Sequence, residues 1–196
     1  MHNILTSLRH NKNLYLVTIS FFLLGFINIH LALIGFLCMI LPFVLLMNTG
    51  KKTYCQGYCP RASFYSKIGK FKKTNQKTPN FFIKGDMKKF ILVYFVFNLF
   101  IMIAATTRVY SGAMPPMLMA RFMLFFPFPG NLPQLVEFGG IAPWITHLSY
   151  RIFSMMMTTT MIGILLGFLY KPRTWCTVCP INTLSDAYLT ITKKRK

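Results

Sequence analysis

Long uncharged apolar stretches alternate with short basic ones along this chain. Asn13 to Ile29 (NLYLVTISFFLLGFINI) is free of charge and about as long as a helix must be to cross a ~30 Å hydrocarbon layer. A second run, Leu31 to Asn48, starts directly after His30, so the two predict a tight helical hairpin with Pro42 kinking its second arm. Phe90 to Ala105 is the third run, and the fourth extends from Trp144 or His147 to Tyr170. The predicted spans are therefore 13–29, 31–48, 90–105 and 147–170. Span one is not read as a cleaved signal peptide, because no small-residue cleavage site follows it and another span comes almost at once.

Residues 106–146 fit none of these spans. They are rich in Pro, Gly, Phe and Met, and their apolar piece PPMLMARFMLFFPF is too short to cross and is broken by Arg121. The pattern predicts an interfacial or re-entrant segment between helices three and four. The expected fold is an all-α membrane protein, a single membrane domain over 1–196 built as a bundle of about four transmembrane helices.

Composition agrees with a membrane setting: 54% of the residues are hydrophobic and only three are acidic. Twenty Phe, nine Tyr and 13 Met give too much apolar surface for a disordered chain. The net charge of +19 raises the question of nucleic acid, and its placement answers it. Of the 22 Lys and Arg, two lie in 1–12, eleven in 49–89, six in 171–196 and three in 106–151. With four spans, the first three blocks share one side, which the positive-inside rule makes cytoplasmic. The reading is a multi-pass protein of the cytoplasmic membrane with both termini, loop 49–89 and tail 171–196 inside, and 106–146 outside. Anionic lipid and an acidic partner account for the basic charge without nucleic acid.

Four of the five cysteines fall in two compact motifs, Tyr54-Cys55-Gln56-Gly57-Tyr58-Cys59-Pro60 and Trp175-Cys176-Thr177-Val178-Cys179-Pro180. Each motif begins just after a predicted span, and the topology puts both on the cytoplasmic side. The halves also form a loose repeat: span, basic residues (Lys51, Lys52; Lys171, Arg173), aromatic, Cys, two or three residues, then Cys-Pro. Four thiolates are a complete soft ligand set for an iron-sulfur cluster or for zinc, and the cytosol disfavours disulfides.

Proline suits the first position of a helix, so each motif is expected at a helix start, where free amides and nearby Lys51, Lys52, Arg61 and Arg173 favour thiolate over thiol. Three readings remain open on the residues alone: a cluster, a zinc-stapled scaffold or assembly subunit, and a Cys-x-x-Cys thiol-disulfide oxidoreductase using Cys176 and Cys179.

The Cys-x3-Cys-Pro motif after one span, paired with a second Cys-Pro motif after a later one, resembles the membrane-bound polyferredoxin-type electron-transfer proteins of the NapH and NosR kind. The resemblance covers residues 31–68 and 150–190. Cys55 and Cys59 match that pattern as written, whereas Cys176 and Cys179 have one residue fewer between them, and the ferredoxin repeats that many relatives carry after the last span are missing. The resemblance implies Cys55, Cys59, Cys176 and Cys179 as ligands of one cluster, [4Fe-4S] ahead of [2Fe-2S] or zinc. It implies a redox subunit, not a stand-alone enzyme, that passes electrons between a soluble donor and a quinone or another membrane or extracytoplasmic redox subunit. An acidic ferredoxin or flavodoxin would suit the basic face as donor.

Other residues receive plainer expectations. Cys38 lies in mid-span and reads as packing. His30 and His147, at the non-cytoplasmic ends of spans, could bind haem or a quinone head group but read more simply as interfacial histidines. Arg108, Arg121 and Arg151, with Glu137 as the lone acid on their side, read as lipid-headgroup anchors. Tyr54, Tyr58 and Trp175 are expected in an aromatic belt, and Gly57 is expected to serve a positive φ or a close approach.

Overall fold

The computed structural model describes residues 13–69, 86–123, 126–127, 134–135 and 140–194. The N-terminal basic block, most of the basic loop (70–85), Phe125, Glu137 and the last two residues lie outside the described residues. The described chain is mostly helical. In order it forms α1 (Tyr15–Ile27), a 3-10 turn (Ile29–Ile34), α2 (Gly35–Thr49), a π-helical turn (Tyr54–Tyr58), α3 (Pro60–Ile68), α4 (Asp86–Tyr110), strands β1 (Arg121–Phe122) and β2 (Phe126–Pro127), α5 (Pro143–Leu169), α6 (Thr174–Val178) and α7 (Pro180–Lys194).

Three of these segments are long and apolar enough to cross a membrane: Ile29–Thr49, Asp86–Tyr110 and Pro143–Leu169. The expected first span is shorter than its apolar run. At 13 residues, α1 rises only about 20 Å, well under a ~30 Å hydrocarbon layer. Asn28 ends it: its backbone turns extended (φ −152°, ψ 126°) and its side chain accepts the His30 N–H, so it starts the next helical turn. The third and fourth spans overrun their apolar runs because polar residues finish them. Asp86 in the first turn of α4 and Arg108 in its last complement the helix dipole, and Pro143 opens α5 where no amide hydrogen is needed.

The chain divides into two compact units. One takes the described parts of Met1–Thr18, Cys38–Val93 and Ile162–Lys196 and contains both cysteine motifs. Its core is Tyr65, Trp175 and Val178, with Phe64, Ile91 and Ile162 against them. Gly163 provides the room for this packing, since a Cβ there would collide with the Tyr65 ring. Gly50 supplies the left-handed turn (φ +60°) that stops α2, donating to the Leu46 carbonyl at 2.9 Å, and so sets where the first motif begins.

The other unit takes Ile19–Leu37 and Tyr94–Met161. Its core centres on Phe153, fully buried, with Phe21 stacked on it, Phe22 and Phe26 meeting it edge-on and Gly25 leaving space for the ring. Small-against-large packing of this kind holds helices together in lipid, where apolar burial gives little drive.

The segment before β2 departs from a purely helical fold: β1 and β2 pair antiparallel, Arg121 opposite Pro127 and Phe122 opposite Phe126. Its backbone is satisfied by α5. The Met117, Arg121 and Met123 amides donate to His147 Nδ1 (3.1 Å), Ser154 Oγ (3.0 Å) and Thr158 Oγ1 (3.2 Å). Residues 147, 154 and 158 lie on one helical stripe. Irregular backbone in an apolar setting requires such partners. Thr159 and Thr160 return their hydroxyls to carbonyls of their own helix.

Candidate metal centre

Each cysteine pair sits on a short helical turn followed by a helix that proline opens. Cys55 lies in the π-helical turn and Cys176 in α6, while Cys59 and Cys179 immediately precede Pro60 and Pro180. The two second cysteines adopt nearly the same backbone, φ −73°, ψ 110° at Cys59 and φ −56°, ψ 129° at Cys179. The extra residue of the first motif is absorbed by the wider π turn, so unequal spacing leads to equivalent ends. Gly57 falls inside that turn and is not among the positive-φ glycines of the described residues, which are Gly50, Gly112 and Gly140. The expectation of a left-handed Gly57 is therefore corrected: the added residue is taken up by helical widening.

The flanking aromatics are corrected too. Tyr54 and Trp175 are buried, 7% and 6% exposed, so they serve as packing under the site and not as a belt at the headgroups. Trp175 belongs to the unit's core beside Val178, and Tyr54 hydrogen-bonds the Cys38 thiol. Cys38 thus has a partner that its mid-span position did not predict.

All four motif thiols act on one another. As anions Cys55 would repel Cys59 and Cys179, Cys176 would repel Cys59, Cys179 and Cys55, and Cys179 would repel Cys59, which exhausts the six pairs. Burial pushes the Cys55 thiol up to about 11 and the Cys176 thiol up to about 12. Cys179 is also raised, burial outweighing the Ile181 and Asn182 amides that donate to its sulfur. Lys52, Arg173 and Arg61 pull Cys55, Cys176 and Cys179 the other way. Helix starts and cations do favour thiolate, as expected, but burial is the larger effect. Loading a metal there releases protons.

A cross-brace ties the two motifs together. Lys52, three residues before Cys55, donates to Asn182 Oδ1 at 3.1 Å and pairs with Asp186, both on the helix after the second motif. Arg173, three residues before Cys176, donates from Nε to Ser66 Oγ at 2.7 Å, on the helix after the first motif. Asp186 follows Cys179 by seven residues and Ser66 follows Cys59 by seven. Asn182 also donates from Nδ2 to the Cys176 carbonyl at 3.1 Å. Sequence reasoning placed Lys52 and Arg173 near the site as charges, but missed Ser66, Asn182 and Asp186 as their partners. The matching offsets in the two halves were the signal available.

The donor set fits an iron-sulfur cluster: four soft thiols, all unpaired by disulfides, with amide hydrogen bonds reaching the Cys179 sulfur. Among the described residues, no three His, Cys, Asp or Glu side chains are gathered around a point that would suit a single metal ion. A zinc ion would need its sulfurs about 2.3 Å from one centre.

The two histidines expected for haem or a quinone head group differ in how fully they are engaged. Both His30 ring nitrogens are engaged, Nδ1 with Asn28 Oδ1 at 2.8 Å and Nε2 with Thr146 Oγ1 at 3.1 Å. His147 is fully buried with Nδ1 taken by the Met117 amide.

A family model described as a 4Fe-4S binding domain matches residues 31–79 and 153–196, the stretches that contain the two motifs. No curated protein and no solved structure matches the chain. The family match supports an iron-sulfur protein, with a cluster of the [4Fe-4S] type.

Proposed function

We propose that the chain is a membrane electron-transfer subunit in which Cys55, Cys59, Cys176 and Cys179 hold one [4Fe-4S] cluster. The observation that carries this reading is the mutual action of all four thiols within one unit, reached from two motifs that the cross-brace joins. Such a cluster supplies one-electron chemistry. The residues around it bury the ligands, aim two amides at the Cys179 sulfur and keep cations within reach, which together raise a cluster's potential.

In this reading the chain is similar in role to the NapH and NosR kind. A short α1 accompanies three spanning helices, the cysteine motifs face the cytoplasm, and the basic residues around them attract an acidic ferredoxin or flavodoxin. Electrons then pass to a quinone or to another membrane redox subunit. The zinc-scaffold reading is less well supported, because the family model that matches both motif regions is that of a 4Fe-4S binding domain. The thiol-disulfide reading leaves Cys55 and Cys59 without a role.

Anaerobic purification of the full chain, followed by iron, sulfide and zinc analysis and EPR of the reduced sample, tests this. The expected result is about four iron and four sulfide per chain, as one [4Fe-4S] cluster requires. Zinc without iron would overturn it, as would a metal-free chain with a titratable dithiol.

A further inference from the structure

The stripe of α5 that satisfies the backbone of residues 117–123 contains one residue that cannot do so. His147, Ser154 and Thr158 each accept an amide, but Arg151, between them on the same face, can only donate. Its Nε is buried without a hydrogen-bond partner among the described residues. His147 adds a second such donor. Because its Nδ1 accepts from the Met117 amide, the neutral ring carries its hydrogen on Nε2, and that atom too is buried and unpartnered. Arg121, held against the stripe through its own amide, acts electrostatically on both His147 and Arg151. Two buried donors thus lie one turn apart on the stripe, with the exposed guanidinium of Arg121 acting on both.

Arg151 is the ninth residue of a spanning helix, about 12 Å along it from the first. A cation at such a depth is costly unless something neutralises it. Among the described residues, no acidic group acts on Arg151. A neutral carbonyl ligand could accept these hydrogen bonds but would leave two guanidiniums repelling each other. An anion with several acceptor oxygens offsets both the repulsion and the unmet donors.

We propose that His147, Arg151 and Arg121 form a binding site for a phosphate group, supplied by the headgroup of an anionic phospholipid or by free phosphate. It is independent of the cluster and of the electron-transfer reading. The full chain would be purified in detergent, exchanged free of lipid, and offered phosphatidylglycerol in micelles or inorganic phosphate, with bound phosphorus counted. Wild type should retain about one phosphate per chain. Arg121→Gln with Arg151→Gln should lower the affinity about tenfold or more, while Arg108→Gln leaves it unchanged.

Arg151→Lys keeps the charge and lacks Nε, so its affinity should fall between the two, and circular dichroism identifies any variant that has failed to fold. Retention of the lipid without competition from inorganic phosphate assigns the site to a headgroup. Retention of inorganic phosphate alone assigns it to the free anion. No bound phosphorus in wild type, as when Glu137 already supplies the anion, or equal binding in the double variant, overturns the proposal.

Discussion

The two cysteine motifs reach equivalent ends with unequal lengths of chain. The first needs a π turn to fit three residues between its cysteines, and the second needs only an α turn for two. From Cys59 and Cys179 onward they coincide: an extended cysteine, a buried proline opening a helix, and a polar residue seven positions on that receives the basic residue set before the other motif. The difference teaches which features the site requires. Spacing within a motif can vary because a helical turn can widen by one residue. The offsets that join the motifs do not vary.

Equal ends predict equal necessity, and the largest expected effect tests this. Cys55→Ser and Cys179→Ser, one from each motif, should both reduce iron and sulfide to background and abolish the EPR signal, since a cluster missing a thiolate ligand loses its charge balance and one corner. If the Cys179 variant lost its cluster while the Cys55 variant kept a full one, the two motifs would not share a site.

The cross-brace should produce a smaller effect, unequal on its two sides. Lys52→Met removes a hydrogen bond to Asn182 and an ion pair with the half-exposed Asp186, and Arg173→Met removes one hydrogen bond to Ser66. Loss of about 1–2 kcal/mol is expected for the first and about 0.5–1.5 for the second, read from denaturant unfolding in micelles. Each should also hasten cluster release on dilution into chelator. If the double variant loses more or less than the sum of the singles, the two arms act as one brace. Additive losses would mean that each arm holds only its own helix.

Much of this was readable from residue order, and what was not has physical causes. Apolar runs revealed the spans at Asp86–Tyr110 and Pro143–Leu169, but helix ends are set by caps and prolines outside those runs, so both were placed too short. Asn28 cut the first helix for the same reason, a local side-chain bond that hydropathy does not register. The cysteines and prolines were plain in the sequence because ligand chemistry restricts residue type. The π turn was not, because one added residue can equally be looped out. Burial reversed two expectations, moving Tyr54 and Trp175 under the site and raising the thiols that neighbouring cations would lower. The stripe through His147, Ser154 and Thr158 had helical spacing all along, but its use depends on where residues 117–123 return.

The aromatics before each motif set the smallest contrast. Trp175 is held by core packing, whereas Tyr54 at the matching position adds a hydrogen bond to Cys38. Tyr54→Phe keeps the ring and loses only that bond, so about 0.5–1.5 kcal/mol of stability should go with no change in the cluster's spectrum. Cys38→Ser retains a hydroxyl at hydrogen-bonding reach of Tyr54 and should be nearer to neutral by the same unfolding measurement. Loss of the cluster signal in the Cys38 variant would instead make the fifth cysteine a ligand. That outcome would break the equivalence of the two motifs, because the second half of the chain has no cysteine to set against Cys38.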